Sequence, residues 1–228
     1  MAIFKLNENR LKTVLMVSVL AFLVTGIVYF IPIDIRHKIA LPLSVLAIAS
    51  LWLCSWQITL AFAFSALGDL MGSYGNLMAQ MAAFAVAHVF FMIFFFKRYR
   101  HKVERDGKLT GKAKGYTFLI VFLGAVLISF IFSKVIPEVP AGVLKTGTAL
   151  YTVIVCMMLE LALFQRSTLY AAGALLFVFS DFILSWELFV EPIQGSRYLI
   201  MIPYYLGQFL LFLRATPYRI PGLRKHRM

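Results

Sequence analysis

Charge is what this chain has least of. Asp, Glu, Lys and Arg make up 14% of its 228 residues, against 61% hydrophobic ones. A soluble domain carries about 25% charge and 45–50% apolar residues. With a mean hydropathy of +0.86, the sequence reads as a polytopic membrane protein. Cysteine is nearly absent: Cys54 and Cys156 both lie in or beside apolar runs. That excludes a disulfide framework and a zinc-ribbon spacing, and both read as small core residues. Histidine is scarce too, with His37, His101 and His226 in or beside loops and only His88 inside an apolar run. No HxxxH or HxxH pair exists, so neither a metal site nor a cofactor is called for. No small-residue cleavage site follows the first apolar run, which therefore reads as a retained helix.

Ten acids remain against 22 basic residues, a formal net charge of +12. In an apolar chain that excess is a matter of sidedness, not of nucleic-acid binding. The apolar runs predict an all-α transmembrane bundle forming one membrane domain over 1–228. Eight spans are expected, at about 11–31, 37–54, 57–73, 76–96, 116–135, 143–164, 169–190 and 197–213. Pro42 falls in the first turns of the second span, where proline is tolerated, and Trp52 and Trp56 mark an interface near its far end. Lys97 to Lys114 reads as the one long polar loop, with eight Lys/Arg against two acids.

Sorted by side, the N-terminus, the central loop, Arg166 and the tail from Arg214 hold seventeen basic residues. Arg36, Lys38, Lys134, Lys145 and Arg197 are the five on the other side. This positive-inside pattern puts both termini and the loop in the cytoplasm. The expected home is a bacterial cell membrane.

Two carboxylates break the apolar pattern. Asp69 lies in TLAFAFSALGDLMGSY and Asp181 in AAGALLFVFSDFILSW. A charged side chain at bilayer depth costs at least ~2.5 kcal/mol and marks a functional site or a polar lock between helices. In the eight-span count each Asp lies on the third helix of a four-helix half, which suggests a 4+4 parallel repeat with both acids facing one cavity. Ser65, Ala66, Gly72 and Ser73 share the face of Asp69. Phe177, Val178, Leu184 and Ser185 share that of Asp181. His88 reads as an interhelical hydrogen-bond partner or a proton carrier. Tyr151, Tyr204, Tyr205 and Gln208 read as aromatic and polar packing or as site residues, and Ser180 sits directly before Asp181. Glu160 is placed to snorkel or to pair with Arg166.

Two acids sharing an apolar site do not ionise alike, and one neutral with one ionised carboxyl is the arrangement of acid–base hydrolysis. On FSALGDLM (64–71), AHVFFMIFF (87–95), ALYT (149–152), GALLFVFSDFIL (173–184) and YYLGQ (204–208), the chain resembles the YhhN/lysoplasmalogenase family of polytopic membrane proteins. One departure is Leu41 before Pro42, where members often carry Lys.

The resemblance implies an eight-helix hydrolase that opens the vinyl ether bond of a lysoplasmalogen, giving a fatty aldehyde and a glycerophospho-base. Asp69 and Asp181 would be the catalytic pair, with His88, Tyr151, Ser180, Tyr204, Tyr205 and Gln208 binding or orienting. The partner would be a lysophospholipid with an alkenyl chain. A proton-coupled transporter of a lipid or small molecule using the same carboxylates is the other reading. An intramembrane aspartyl protease is disfavoured: residue 66 is Ala where that family's GxGD element needs Gly, and neither a YD pair nor a PAL triplet occurs.

Overall fold

The computed structural model describes residues 7–106 and 111–216. Lys5 and the basic tail from Pro217 lie outside them, so their assigned sidedness has no structural counterpart here. The described residues form eight α-helices and no strand. They are α1 (Glu8–Phe30), α2 (Leu41–Leu53), α3 (Trp56–Ser73), α4 (Leu77–Asp106), α5 (Gly111–Lys134), α6 (Val143–Phe164), α7 (Thr168–Phe189) and α8 (Ser196–Ala215).

Helix ends follow local chemistry. Asn7 caps α1 by accepting the Arg10 N–H at 2.9 Å, and Glu8 pairs with Lys12 one turn on. Pro42 occupies the first turn of α2, where its missing N–H costs nothing. Gly75, at φ +73°, turns the chain out of α3, and Asn76 accepts the Ala79 N–H to start α4.

Two expectations need correction. Six helices, α1 and α4 to α8, are long and apolar enough to cross a membrane. With 13 residues, α2 reaches only ~20 Å of a ~30 Å hydrocarbon core. In α3, Gln57, Asp69 and two glycines dilute the apolar run. The basic segment is also not a long loop: α4 continues to Asp106 and α5 begins at Gly111. Lys, Arg and Glu are good helix formers, and Arg100 reaches Glu104 one turn away.

Large apolar side chains face outward, among them Val17, Leu20, Val24 and Ile27 of α1 and Phe118, Phe122 and Val126 of α5. Such a surface suits lipid, where helices associate through close packing of small residues and through hydrogen bonds. The protein is an integral multi-pass membrane protein.

The described residues divide into two units, one of residues 7–90 with 211–216 and one of the described residues between 91 and 210. In the first, α2 packs on α1 and α3, and Phe62 meets Phe212 edge to face. In the second, α6 packs between α5 and α7. Ile131, Val135 and Val139 form an apolar cluster there with Phe182, Trp186 and Phe189.

Candidate functional site

Asp181 lies in the second unit, with Phe182 and Trp186 beside it in that apolar cluster. Tyr151 of α6 donates its hydroxyl to Asp181 Oδ2 at 2.5 Å. The two open onto a cavity of about 20 Å³ walled by Ile131, Thr152, Val155, Cys156 and Ser185 among others. That is room for a single water. An acceptor, a donor and a water-sized space form the minimum needed to hold and polarise one water.

Thr152, Cys156 and Ser185 escaped selection as site residues. Their signal was faint: Ser185 is one turn beyond Asp181, and Cys156 is one turn beyond Thr152. The Thr152 hydroxyl is committed to the Thr148 carbonyl at 2.9 Å.

Three contacts fix how α7 runs against α8. A Cβ on Gly207 would lie 2.7 Å from the Gly173 carbonyl oxygen. Phe177 meets Tyr204 edge to face at 5.5 Å. Ser180 donates to the Ile200 carbonyl at 2.8 Å. Ile200 stands one turn before Pro203, where the proline loosens the helix's own hydrogen bonds. The register sets Asp181 level with Leu199 and Gln208 level with Ala172, about nine residues or ~13 Å away along the axis. The Tyr204 and Tyr205 rings meet at a tilt, 5.4 Å between centres, and with Gln208 they are buried. The structure therefore brings Tyr151 to Asp181, turns Ser180 toward the α8 backbone, and places Gln208 more than two turns away.

Asp69 and His88 belong to the first unit, and both are buried, at 2% and 1% exposure. Gly68 lets the Phe84 ring of α4 lie against α3, 3.1 Å from where a Cβ would be, and Gly72 receives the Gln80 amide. Phe64 stacks on Phe90. This antiparallel register sets His88 level with Phe64 and Ser65, about one turn or ~6 Å from Asp69. Ser65, Asp69 and Ser73 repeat every fourth residue, so they line one face of α3. The stripe runs from the buried Ser65 to the exposed Ser73.

Glu160 does not pair with Arg166. Its carboxylate fills the space left by Gly124, while the Arg166 guanidinium lies 5.2 Å from the Tyr116 ring centre. Among the described residues no three His, Cys, Asp or Glu side chains gather where one ion would bind.

Six long apolar helices, with a buried carboxylate in α3 and a half-buried one in α7, define a multi-pass membrane protein. The chain belongs to the YhhN family, whose profile matches residues 37–215. It is similar to proteins named lysoplasmalogenase TMEM86B. The rat protein is 29% identical over 173 residues, 75% of this chain and 66% of its own length. The human one is 29% identical over 141 residues, 62% of this chain and 54% of its own. The mouse protein is 46% identical over 54 residues, 24% of this chain and 23% of its own. The chain thus spans less than two thirds of each of these relatives. No solved structure matches it.

Proposed function

We propose that this protein hydrolyses the vinyl ether bond of lysoplasmalogens within the membrane. The observation that carries the reading is Asp181, held by the Tyr151 hydroxyl beside a one-water cavity in a chain similar to proteins named lysoplasmalogenase. The substrate is a lysophospholipid with an alkenyl chain, and the products are a fatty aldehyde and a glycerophospho-base.

The chemistry needs two carboxyl groups in opposite states. One, protonated, gives its proton to the outer carbon of the enol ether, and the ether carbon becomes an oxocarbenium ion. The other, ionised, stabilises that cation and takes a proton from the attacking water. The hemiacetal formed collapses to aldehyde and alcohol. The transition state is akin to that of glycoside hydrolysis. Asp69 and Asp181 take these two duties, with Tyr151 as the positioning residue of Asp181. His88, Ser180, Tyr204, Tyr205 and Gln208 orient water or lipid, Ser180 through its bond to the α8 backbone rather than at Asp181 itself. The excess of basic residues on one side supports a cytoplasmic position for both ends of the chain.

The test follows aldehyde release from lysoplasmenylethanolamine by purified protein in detergent. Wild type should release aldehyde. Asp69→Asn and Asp181→Asn should each lose on the order of 10²–10⁴ in rate, with unchanged thermal unfolding. Folded wild type that releases none from several alkenyl lipids would overturn the reading in favour of transport or of another lipid.

A further inference from the structure

The loop between α1 and α2 carries three consecutive basic residues, Arg36, His37 and Lys38, and the structure gives each a different place. Lys38 is a staple: its Nζ donates to the carbonyls of Ile31 and Ile33 at 2.7 and 2.9 Å, folding the loop back on itself. His37 adopts a left-handed backbone, φ +56°, which a non-glycine residue takes only when its surroundings hold it there. What holds it comes from α3. Its Nδ1 is 2.6 Å from the Ser73 hydroxyl, and its ring lies 4.3 Å from that of Tyr74. Ser73 gives its own hydrogen to the Leu70 carbonyl at 2.6 Å, so toward His37 it accepts and Nδ1 donates. That leaves Nε2 as the nitrogen available to a ligand. Arg36 is exposed, and among the described residues neither it nor Asp34 in the same loop makes an ion pair.

We propose that Arg36 and His37 form a subsite for the phosphate of the lipid headgroup, at the mouth of the Ser65–Asp69–Ser73 stripe. The inference rests on the vinyl-ether reading for the identity of the lipid, and it adds where that lipid's headgroup sits. Position supports it: His37 is held on Ser73 by a hydrogen bond of 2.6 Å, one helical turn, ~6 Å, along the stripe from Asp69. The guanidinium supplies the planar pair of donors that phosphate accepts, and an imidazolium donates from Nε2 while Nδ1 stays on Ser73.

The test uses the full chain in detergent with three probes: an inert 1-O-alkyl lysophosphocholine, the matching 1-O-alkylglycerol without phosphate, and inorganic phosphate. Wild type should bind the phospholipid about tenfold or more tightly than the alkylglycerol. In Arg36→Gln and His37→Gln, each checked for thermal unfolding, that ratio should fall toward one. Equal binding of the two ethers by wild type, or an unchanged ratio in folded variants, overturns the proposal. Inorganic phosphate that binds as tightly as the lysolipid assigns the site to the free ion and overturns the headgroup assignment. Because these probes are not hydrolysed, the binding ratio is read separately from aldehyde release. A wild type that shows the ratio but releases no aldehyde keeps the subsite and loses the hydrolase.

Discussion

The Tyr151 hydroxyl and the Asp181 carboxylate, thirty residues apart in sequence, meet at 2.5 Å between α6 and α7. The bond does two things. It fixes one carboxylate oxygen, and it does so on the wall of the small cavity that both residues line. Tyr151→Phe keeps the ring and removes only the donor. A hydrogen bond to a charged group contributes about 1.5–3 kcal/mol, so kcat for aldehyde release should fall roughly 10- to 100-fold with KM little changed. An equal loss in Tyr151→Phe and Asp181→Asn would instead mean that the tyrosine takes part in the chemistry directly.

The cavity beside Asp181 gives a second prediction. Ser185 is on its wall, and Ser185→Val adds apolar volume to a space that holds one water. Because the space is already formed, the substitution should leave thermal stability within about 0.5 kcal/mol of wild type. Aldehyde release should nevertheless be lost. Full activity in the folded variant would show that the hydrolytic water is held elsewhere.

Gly207 and Gly26 make a matched pair for stability. A Cβ on Gly207 would meet the Gly173 carbonyl oxygen at 2.7 Å, whereas one on Gly26 meets nothing within 4 Å. Backbone cannot swing aside as a side-chain tip can. Gly207→Ala should therefore cost about 1–3 kcal/mol through overpacking. Gly26→Ala should be neutral or gain up to about 1 kcal/mol from helix propensity. Unfolding followed by α-helical circular dichroism in detergent separates the two.

Orientation is the fourth. Six or eight crossings are both even counts, so either leaves the two ends of the chain on one side. The charge asymmetry predicts the cytoplasm. A reporter active only in the cytoplasm should work when fused after Met228 and fail when inserted after Gly195, in the turn before α8. The reverse pattern would invert the topology.

The helical bundle was legible because apolar runs separated by short polar punctuation have few other solutions. Hydropathy marks where a membrane ends, however, not where a helix ends. That is why the basic segment after Phe96 read as loop although its Lys, Arg and Glu residues continue α4. It is also why α2 read as a full crossing although its helix has only 13 residues. At the site, Asp69 and Asp181 stood out on cost alone. Tyr151 was named, but its bond to Asp181 depends on the α6–α7 register, which no local pattern encodes. Gln208 shows the converse: it was grouped with Tyr204 and Tyr205 among the site candidates, and the α7–α8 register carries all three away from the level of Asp181. His37 was passed over because a histidine in a loop is ordinary until its left-handed backbone and its bond to Ser73 are seen.

The glycine contact between α7 and α8 bears on how the proposed lipid substrate would reach Asp181. Two helices whose backbones touch, and which are bolted again by Ser180 on the Ile200 carbonyl, leave no seam for a hydrocarbon chain between them. The flank of α7 that bears Asp181 faces α5 and α6, where Ile131, Tyr151 and Val155 line the open space. Within this unit, the proposed substrate would have to reach Asp181 from the side of α5 and α6, because α7 and α8 are closed on each other.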